Sequence, residues 1–196
     1  MESLKYINHI ISILFVVCYS YQFIYVIAAL VKRPKKFCDA PEKRYAVVIS
    51  ARNEAAVVGN LIESIKNQTY SEDMVDVFVV ADNCTDRTAE VARSAGATVY
   101  ERVNRRLVGK GYALEYLFDM IRQNHSDRGY EGYIVIDADN VLDEIYIAEM
   151  NKTFSAGYKI VTSYRNSKNY ASNGVSSFCS AYFSNICFCV CMELDS

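Results

Sequence analysis

Tyr133-Ile134-Val135-Ile136-Asp137-Ala138-Asp139-Asn140 is a short apolar run that ends in two carboxylates one residue apart. A β-branched apolar run of this length reads as a buried strand, and in extended chain the side chains at i and i+2 point the same way. If the extended geometry continues past the run, Asp137 and Asp139 face one ligand together. Two carboxylates at a strand's carboxyl end suit a hard divalent cation, which wants oxygen ligands and usually takes phosphate oxygens in its remaining positions. The pair alone does not establish such a site. Eleven Asp in 196 residues produce about 0.6 Asp-x-Asp pairs by chance, so the neighbouring segments decide.

Toward the amino terminus, strand and helix patterns alternate. Arg44–Ser50 is a first buried strand, followed by Val57, Val58, Leu61, Ile62 and Ile65 at helical spacing with Asn53 as a possible cap. Met74–Ala81 is a second strand. Thr85–Ala95 is a second helix, closed by Gly96 where a left-handed residue is favoured. Thr98–Glu101 is a short third strand, and Gly111–Gln123 a third helix with Ala113, Leu114, Leu117, Phe118 and Ile121 inward. Tyr133–Asp137 is the fourth strand. A helix over 142–154 and a strand over 159–164 complete the pattern.

Strands alternating with helices of this length predict an α/β fold with a mostly parallel sheet covered on both faces. Ligands of such sheets bind outside the carboxyl ends of the strands, where strand order reverses. Four polar endings fall there: Ala51-Arg52-Asn53-Glu54, Asp82-Asn83-Cys84-Thr85-Asp86, Arg105-Arg106-Leu107-Val108-Gly109-Lys110-Gly111, and Asp137-Ala138-Asp139. Each set taken singly is explained by helix capping, since Asn, Asp and Thr favour helix starts. Four sets converging on one edge are better explained by a ligand. A dinucleotide fold would show Gly-x-Gly-x-x-Gly after the first strand and a P-loop Gly-x-x-x-x-Gly-Lys-Ser/Thr. Both are absent. The edge offers an acidic pair for a cation, cationic side chains for phosphate, and Asp82, Asn53 and Glu54 to hydrogen-bond a base or sugar, which together match a metal-bound nucleoside diphosphate.

Outside this domain, the 25 residues Ile7–Val31 contain no Lys, Arg, Asp or Glu. As a helix they span about 37 Å against a hydrocarbon core of roughly 30 Å. The run ends at Lys32-Arg33-Pro34-Lys35-Lys36 rather than at a small-residue cleavage site, which argues for a retained transmembrane anchor. Four cationic residues after the helix, against Lys5 before it, predict a cytoplasmic domain. The seven cysteines show no metal-ligand spacing and are read as reduced thiols. A net charge of -2 gives no overall pull toward nucleic acid, and 52% hydrophobic content excludes a disordered chain.

In order and spacing, the segments Val47–Glu54, Val79–Asp86, Gly109–Leu114, Asp137–Asp139 and Tyr164–Asn169 resemble the family 2 glycosyltransferases, which have the Rossmann-like GT-A nucleotide-sugar-binding fold. The resemblance covers residues 45–169. It implies that Asn53 and Glu54 lie against the nucleotide, that Asp82 hydrogen-bonds the base, most often uracil, and that Lys110 sits near the donor phosphates. It further implies Asp137 near the ribose or metal and Asp139 as the ligand of Mg2+ or Mn2+ on the diphosphate. The implied reaction is inverting attack of a glycan or lipid acceptor hydroxyl on the anomeric carbon of a nucleotide sugar, with a UDP-linked donor expected. The family's general base lies in an acidic motif well downstream, beyond Ser196. Glu193 and Asp195 fall too soon after the fifth strand to match it.

The organisation expected is therefore an anchor with basic flank over 1–36, a nucleotide-diphospho-sugar-binding domain over 45–168, and a truncated acceptor-side or membrane-proximal tail over 169–196. In the tail, Asn169–Met192 is uncharged and long enough to span a membrane, but only weakly hydrophobic. A chain holding the donor half alone is expected to show little or no transfer. Two alternatives stay open: a catalytically inactive nucleotide-sugar-binding fragment, and a sugar-phosphate nucleotidyltransferase, whose Gly-rich opening loop is missing at Ala51–Glu54.

Overall fold

The computed structural model describes residues 2–31, 37–163 and 190–192. The chain divides into two units, Met1–Phe37 and Cys38–Ser196. The first is a single helix, α1 (Glu2–Val31), whose segment Lys5–Ile27 is long and apolar enough to cross a membrane. Apolar side chains such as Ile10, Ile13, Leu14, Phe23 and Ile27 are exposed on every side of it. A helix apolar all round is suited to hydrocarbon rather than to one-sided packing on a core.

The second unit is built on β1 (Tyr45–Ala51), followed by α2 (Val58–Lys66), β2 (Val75–Asp82), α3 (Thr88–Ser94), β3 (Thr98–Arg102) and α4 (Lys110–Asn124). β4 (Gly132–Asp137), α5 (Tyr146–Ser155), β5 (Ile160–Val161) and β6 (Val190–Met192) complete it. The sheet order is β3-β2-β1-β4-β6-β5. β1 pairs in parallel with both β2 and β4, in the registers Ala51↔Ala81 and Ser50↔Asp137. Strand order therefore reverses between β1 and β4, and the carboxyl ends of β1, β2 and β4 stand side by side.

Alternate residues of β1 feed two cores, as the period of two requires. Tyr45, Val47 and Ile49 pack with Leu61, Ile62 and Ile65 of α2, Ala92 of α3 and Ile147 and Phe154 of α5. Ala46 and Val48 pack on the other face with Ala113, Leu117 and Ile121 of α4, which recur every fourth residue. Leu114 and Phe118 of α4 are partly buried against the same cluster. Each fully buried Val, Leu or Ile contributes about 1.5–3 kcal/mol, so the two apolar faces of β1 hold the helices in place.

Three boundaries differ from the sequence reading for local reasons. α2 begins at Val58 with Val57 at its cap position and no side-chain cap bond, so Asn53 is not its cap. α3 begins three residues later than expected because the carboxylate of Asp86 accepts the Thr88 N–H at 3.0 Å and the Thr88 hydroxyl, which holds 85–87 in a turn. α5 begins at Tyr146, after a non-helical stretch that includes Val141–Asp143. Gly96 does close α3, with φ 92, and a Cβ there would lie 2.2 Å from Lys66 Nζ.

β6 is the element the sequence did not announce. Val190–Met192 runs antiparallel between β4 and β5, with Cys191 opposite Ile134 and Val161. Three residues of the expected tail thus belong to the sheet. Of the expected second span over 169–192 all but 190–192, the whole of the 164–169 segment, and Glu193 and Asp195 lie outside the described residues. Cys18, Cys38 and Cys84 are free thiols.

Candidate nucleotide-sugar site

The carboxyl edge of the sheet is held by three connected groups of polar side chains. The first joins β1 to β2. Asn53 adopts a left-handed conformation, φ 57, which Asn tolerates better than most residues. That turn presents its Oδ1 to the Thr85 N–H at 2.8 Å and the Thr85 hydroxyl at 3.3 Å. The Glu54 N–H donates to Thr88 Oγ1 at 2.8 Å, and the Ala55 N–H to Asp86 Oδ2 at 3.2 Å. Hydrogen bonds from Thr88 hold the Asp86 carboxyl below its ordinary range. Cys84 sits between the two loops, its Sγ donating to Ala51 O and accepting from the Asn53 N–H.

A second group joins β2 to β3. Asp82 is 3% exposed, and its Oδ1 accepts Arg102 Nη1 at 2.6 Å and Asn83 Nδ2 at 3.1 Å. Arg102 is itself buried and donates from Nη2 to Leu107 O at 2.9 Å. Asn83, also left-handed at φ 50, exchanges bonds with the Asn104 backbone, and Asn104 Oδ1 accepts the N–H groups of Arg106 and Leu107. The β3–α4 loop is thereby tied to Asp82. Among the described residues no side chain donates to Asp82 Oδ2.

The third group lies where strand order reverses. Gly109, φ 140, occupies the cap position of α4 and sets Lys110 at the helix start, where its ammonium pairs with Asp137 Oδ1 at the end of β4. Both side chains remain about half exposed, at 48% and 40%. Beyond Asp137 the strand stops, because the Asn140 N–H closes a turn onto Asp137 O at 3.1 Å. Extended geometry does not continue to Asp139 as the sequence argument supposed. The alternation of exposure survives: Ala138 is buried in the core, while Asp137 is half-exposed and Asp139 exposed on either side of it.

All six residues singled out in the sequence lie at this edge. Lys110 and Asp137 are in direct contact, Asn53 and Glu54 are bonded to the loop after β2, and Asp82 is bonded to the end of β3. Arg102 and Asn104 were missed. Arg102 is the last residue of β3 and Asn104 follows it, and both precede Arg105, where the polar set after this strand was read to begin.

These positions fall within residues 41–190, which match the model of the glycosyltransferase-like family 2. The chain belongs to that family. A 4,4'-diaponeurosporenoate glycosyltransferase of Staphylococcus aureus is 47% identical over 62 residues, which make up 32% of this chain and 16% of the relative. Among solved structures, the mannosyltransferase PcManGT of Pyrobaculum calidifontis, in complex with GDP-Man and Mn2+, superposes with a TM-score of 0.62 at 21% identity. That match covers 78% of this chain and 45% of the mannosyltransferase, and at this identity it shows the fold. The chain thus spans under half the length of either relative.

Whether a family 2 domain with these side chains suits a divalent cation is a question of donor number. Among the described residues no group of three or more His, Cys, Asp or Glu comes together to cage an ion. Asp137 and Asp139 place two carboxylates on either side of buried Ala138 at the point of reversal. Two protein donors fit an ion that draws its other oxygens from a diphosphate and water.

Proposed function

We propose that this domain binds the nucleoside diphosphate of a sugar donor, UDP-linked by preference, and presents its anomeric carbon to an acceptor hydroxyl on a glycan or lipid. The observation that carries the reading is the Lys110–Asp137 contact at the reversal point, with Asp139 exposed in the turn that follows. It sets a cation and two carboxylates against one small region, as a diphosphate with its metal requires.

In this reading Asp139, with Asp137, holds Mg2+ or Mn2+, and the ion serves as a Lewis acid and template for the departing diphosphate. With an ion held by Asp137 and Asp139, the Lys110 ammonium, which now pairs with Asp137, would be available to the donor phosphates. Asp82 offers Oδ2 to a base N–H, since Oδ1 already accepts two donors. Uracil brings one such N–H, whereas guanine brings two and is best met by both carboxylate oxygens. Asn53 and Glu54 shape the wall beside the nucleotide. Inverting attack by the acceptor requires a carboxylate base within hydrogen-bond reach of its hydroxyl, a role that none of the site residues named above takes. α1 anchors the chain in a membrane with the domain on the cytoplasmic side.

A panel of UDP, GDP and ADP, each with and without Mn2+, tests the reading by thermal denaturation of the full chain. A ligand at 100 times its Kd adds about 2.7 kcal/mol of stability. UDP with Mn2+ is expected to raise Tm most. No rise with any nucleotide contradicts the reading.

A further inference from the structure

We infer that the β3–α4 loop, Val103 to Val108, is a membrane-contacting element that rests on an anionic lipid surface. The inference depends on reading α1 as a membrane anchor. In the second unit the exposed large apolar side chains fall in a few short stretches, and one of these holds three within six residues: Val103 is 81% exposed, Leu107 47% and Val108 45%. Arg105 and Arg106 are exposed between them, and the segment contains no Asp or Glu. Apolar side chains interleaved with cations are the composition of surfaces that lie in the headgroup region of anionic bilayers.

The loop is not loose chain whose apolar residues happen to face outward. Its inner side is fixed by Arg102 Nη2 on Leu107 O at 2.9 Å and by Asn104 Oδ1 on the N–H groups of Arg106 and Leu107, each at 2.9 Å. The backbone is held down while Val103, Leu107 and Val108 are held out. Charge selects the partner. The β4–α5 loop also exposes Val141 and Ile145, but between them stand Asp143 and Glu144, which an anionic surface repels. Lys32, Arg33, Lys35 and Lys36 flank α1 with the same positive sign as Arg105 and Arg106. The chain from Val31 to Tyr45 reaches at most about 50 Å, so an anchored domain stays within reach of lipid. A lipid-facing loop that starts from the Asp82–Arg102 pair and ends at Lys110 brings the donor edge to the bilayer, where a lipid-borne acceptor hydroxyl is found.

The chain contains no Trp, so a single introduced Trp reports its own depth. Leu107→Trp, Ile13→Trp in α1, and Tyr158→Trp before β5 are each placed in the full chain. The variants are reconstituted in nanodiscs of phosphatidylcholine with or without phosphatidylglycerol, some carrying brominated acyl chains. Leu107→Trp is expected to be quenched about twofold or more in anionic discs and little in zwitterionic ones, while Ile13→Trp is quenched in both and Tyr158→Trp in neither. Adding Arg105→Glu and Arg106→Glu to Leu107→Trp should remove the quenching. Quenching of Ile13→Trp without Leu107→Trp overturns the inference and leaves the anchor standing. Loss of quenching at both positions removes the anchor and the inference together. Equal quenching at Leu107 and Tyr158, or quenching that survives both charge reversals, overturns the assignment to this loop.

Discussion

Arg102 Nη1 meets Asp82 Oδ1 at 2.6 Å with both side chains almost fully shielded from water, at 8% and 5% exposure. A buried ion pair is not strong evidence of net stability, because desolvation offsets much of the attraction. Removing one partner is costly, because the other is left charged and unpaired. Arg102→Ala is predicted to lower stability by about 3–5 kcal/mol, read by urea denaturation. Arg102→Lys, which keeps the charge and loses the fork, should cost less but release the 103–108 backbone, seen as faster amide exchange at Arg106 and Leu107.

The two faces of β1 are independent cores, and each has a test residue. Ile62 of α2 and Leu117 of α4 are both fully buried, at 0% exposure. Truncation of either to Ala should cost about 2–5 kcal/mol. They lie on opposite faces of the sheet with no shared cluster, so the double variant should equal the sum within about 0.5 kcal/mol. A clear departure from additivity would mean that the sheet transmits strain between its faces.

Gly96 is a backbone requirement. At φ 92 an L side chain is strained, and the Cβ would also displace Lys66 Nζ. The lysine end is flexible and moves at little cost, so the conformational term dominates. Gly96→Ala is predicted to destabilise by about 1–2 kcal/mol, whereas Gly111→Ala, in open space within α4, should be neutral or stabilising.

Acid and alkaline limits follow from two groups at the amino edge of the sheet. Burial alone would raise the Asp76 carboxyl, but hydrogen bonds from Arg128 and Tyr130 and the charges of Arg128 and Arg44 hold it below 3.8. A depressed folded value gives stability that is present above the unfolded value and lost as pH falls through the folded one. Unfolding measured from pH 5 downward should therefore steepen below about pH 4, and Asp76→Asn should flatten that limb. Burial pushes the Tyr70 hydroxyl up to about 12 from 10.0. Its contribution is present below pH 10 and lost toward pH 12, so Tyr70→Phe should weaken the alkaline decline.

The parallel core was legible because buried strands leave nearly continuous apolar runs and α2 and α4 carry a clear helical period. Asp137, Asp139, Lys110 and Asp82 were legible because a parallel sheet places strand endings on one edge, so a polar residue after each strand is a position and not merely a composition. Three features were not. β6 is three residues long and owes its place to β4 and β5 rather than to any pattern of its own. The Arg102–Asp82 pair joins residues 20 apart, and no local spacing marks an arginine that turns inward from the end of a short edge strand. The turn at Asp139 was hidden for a related reason: a single backbone bond, Asn140 N–H to Asp137 O, ends an otherwise extended run.

The central claim is that the Asp137–Asp139 corner binds a nucleoside diphosphate through a divalent ion. Isothermal titration of the full chain with UDP, in the presence and absence of Mn2+, tests it most directly when repeated with Asp139→Ala. The account predicts Mn2+-dependent binding that Asp139→Ala weakens by about tenfold or more, as loss of a charge-bearing ligand implies. Binding of equal strength with and without Mn2+, or unchanged by Asp139→Ala, would contradict it.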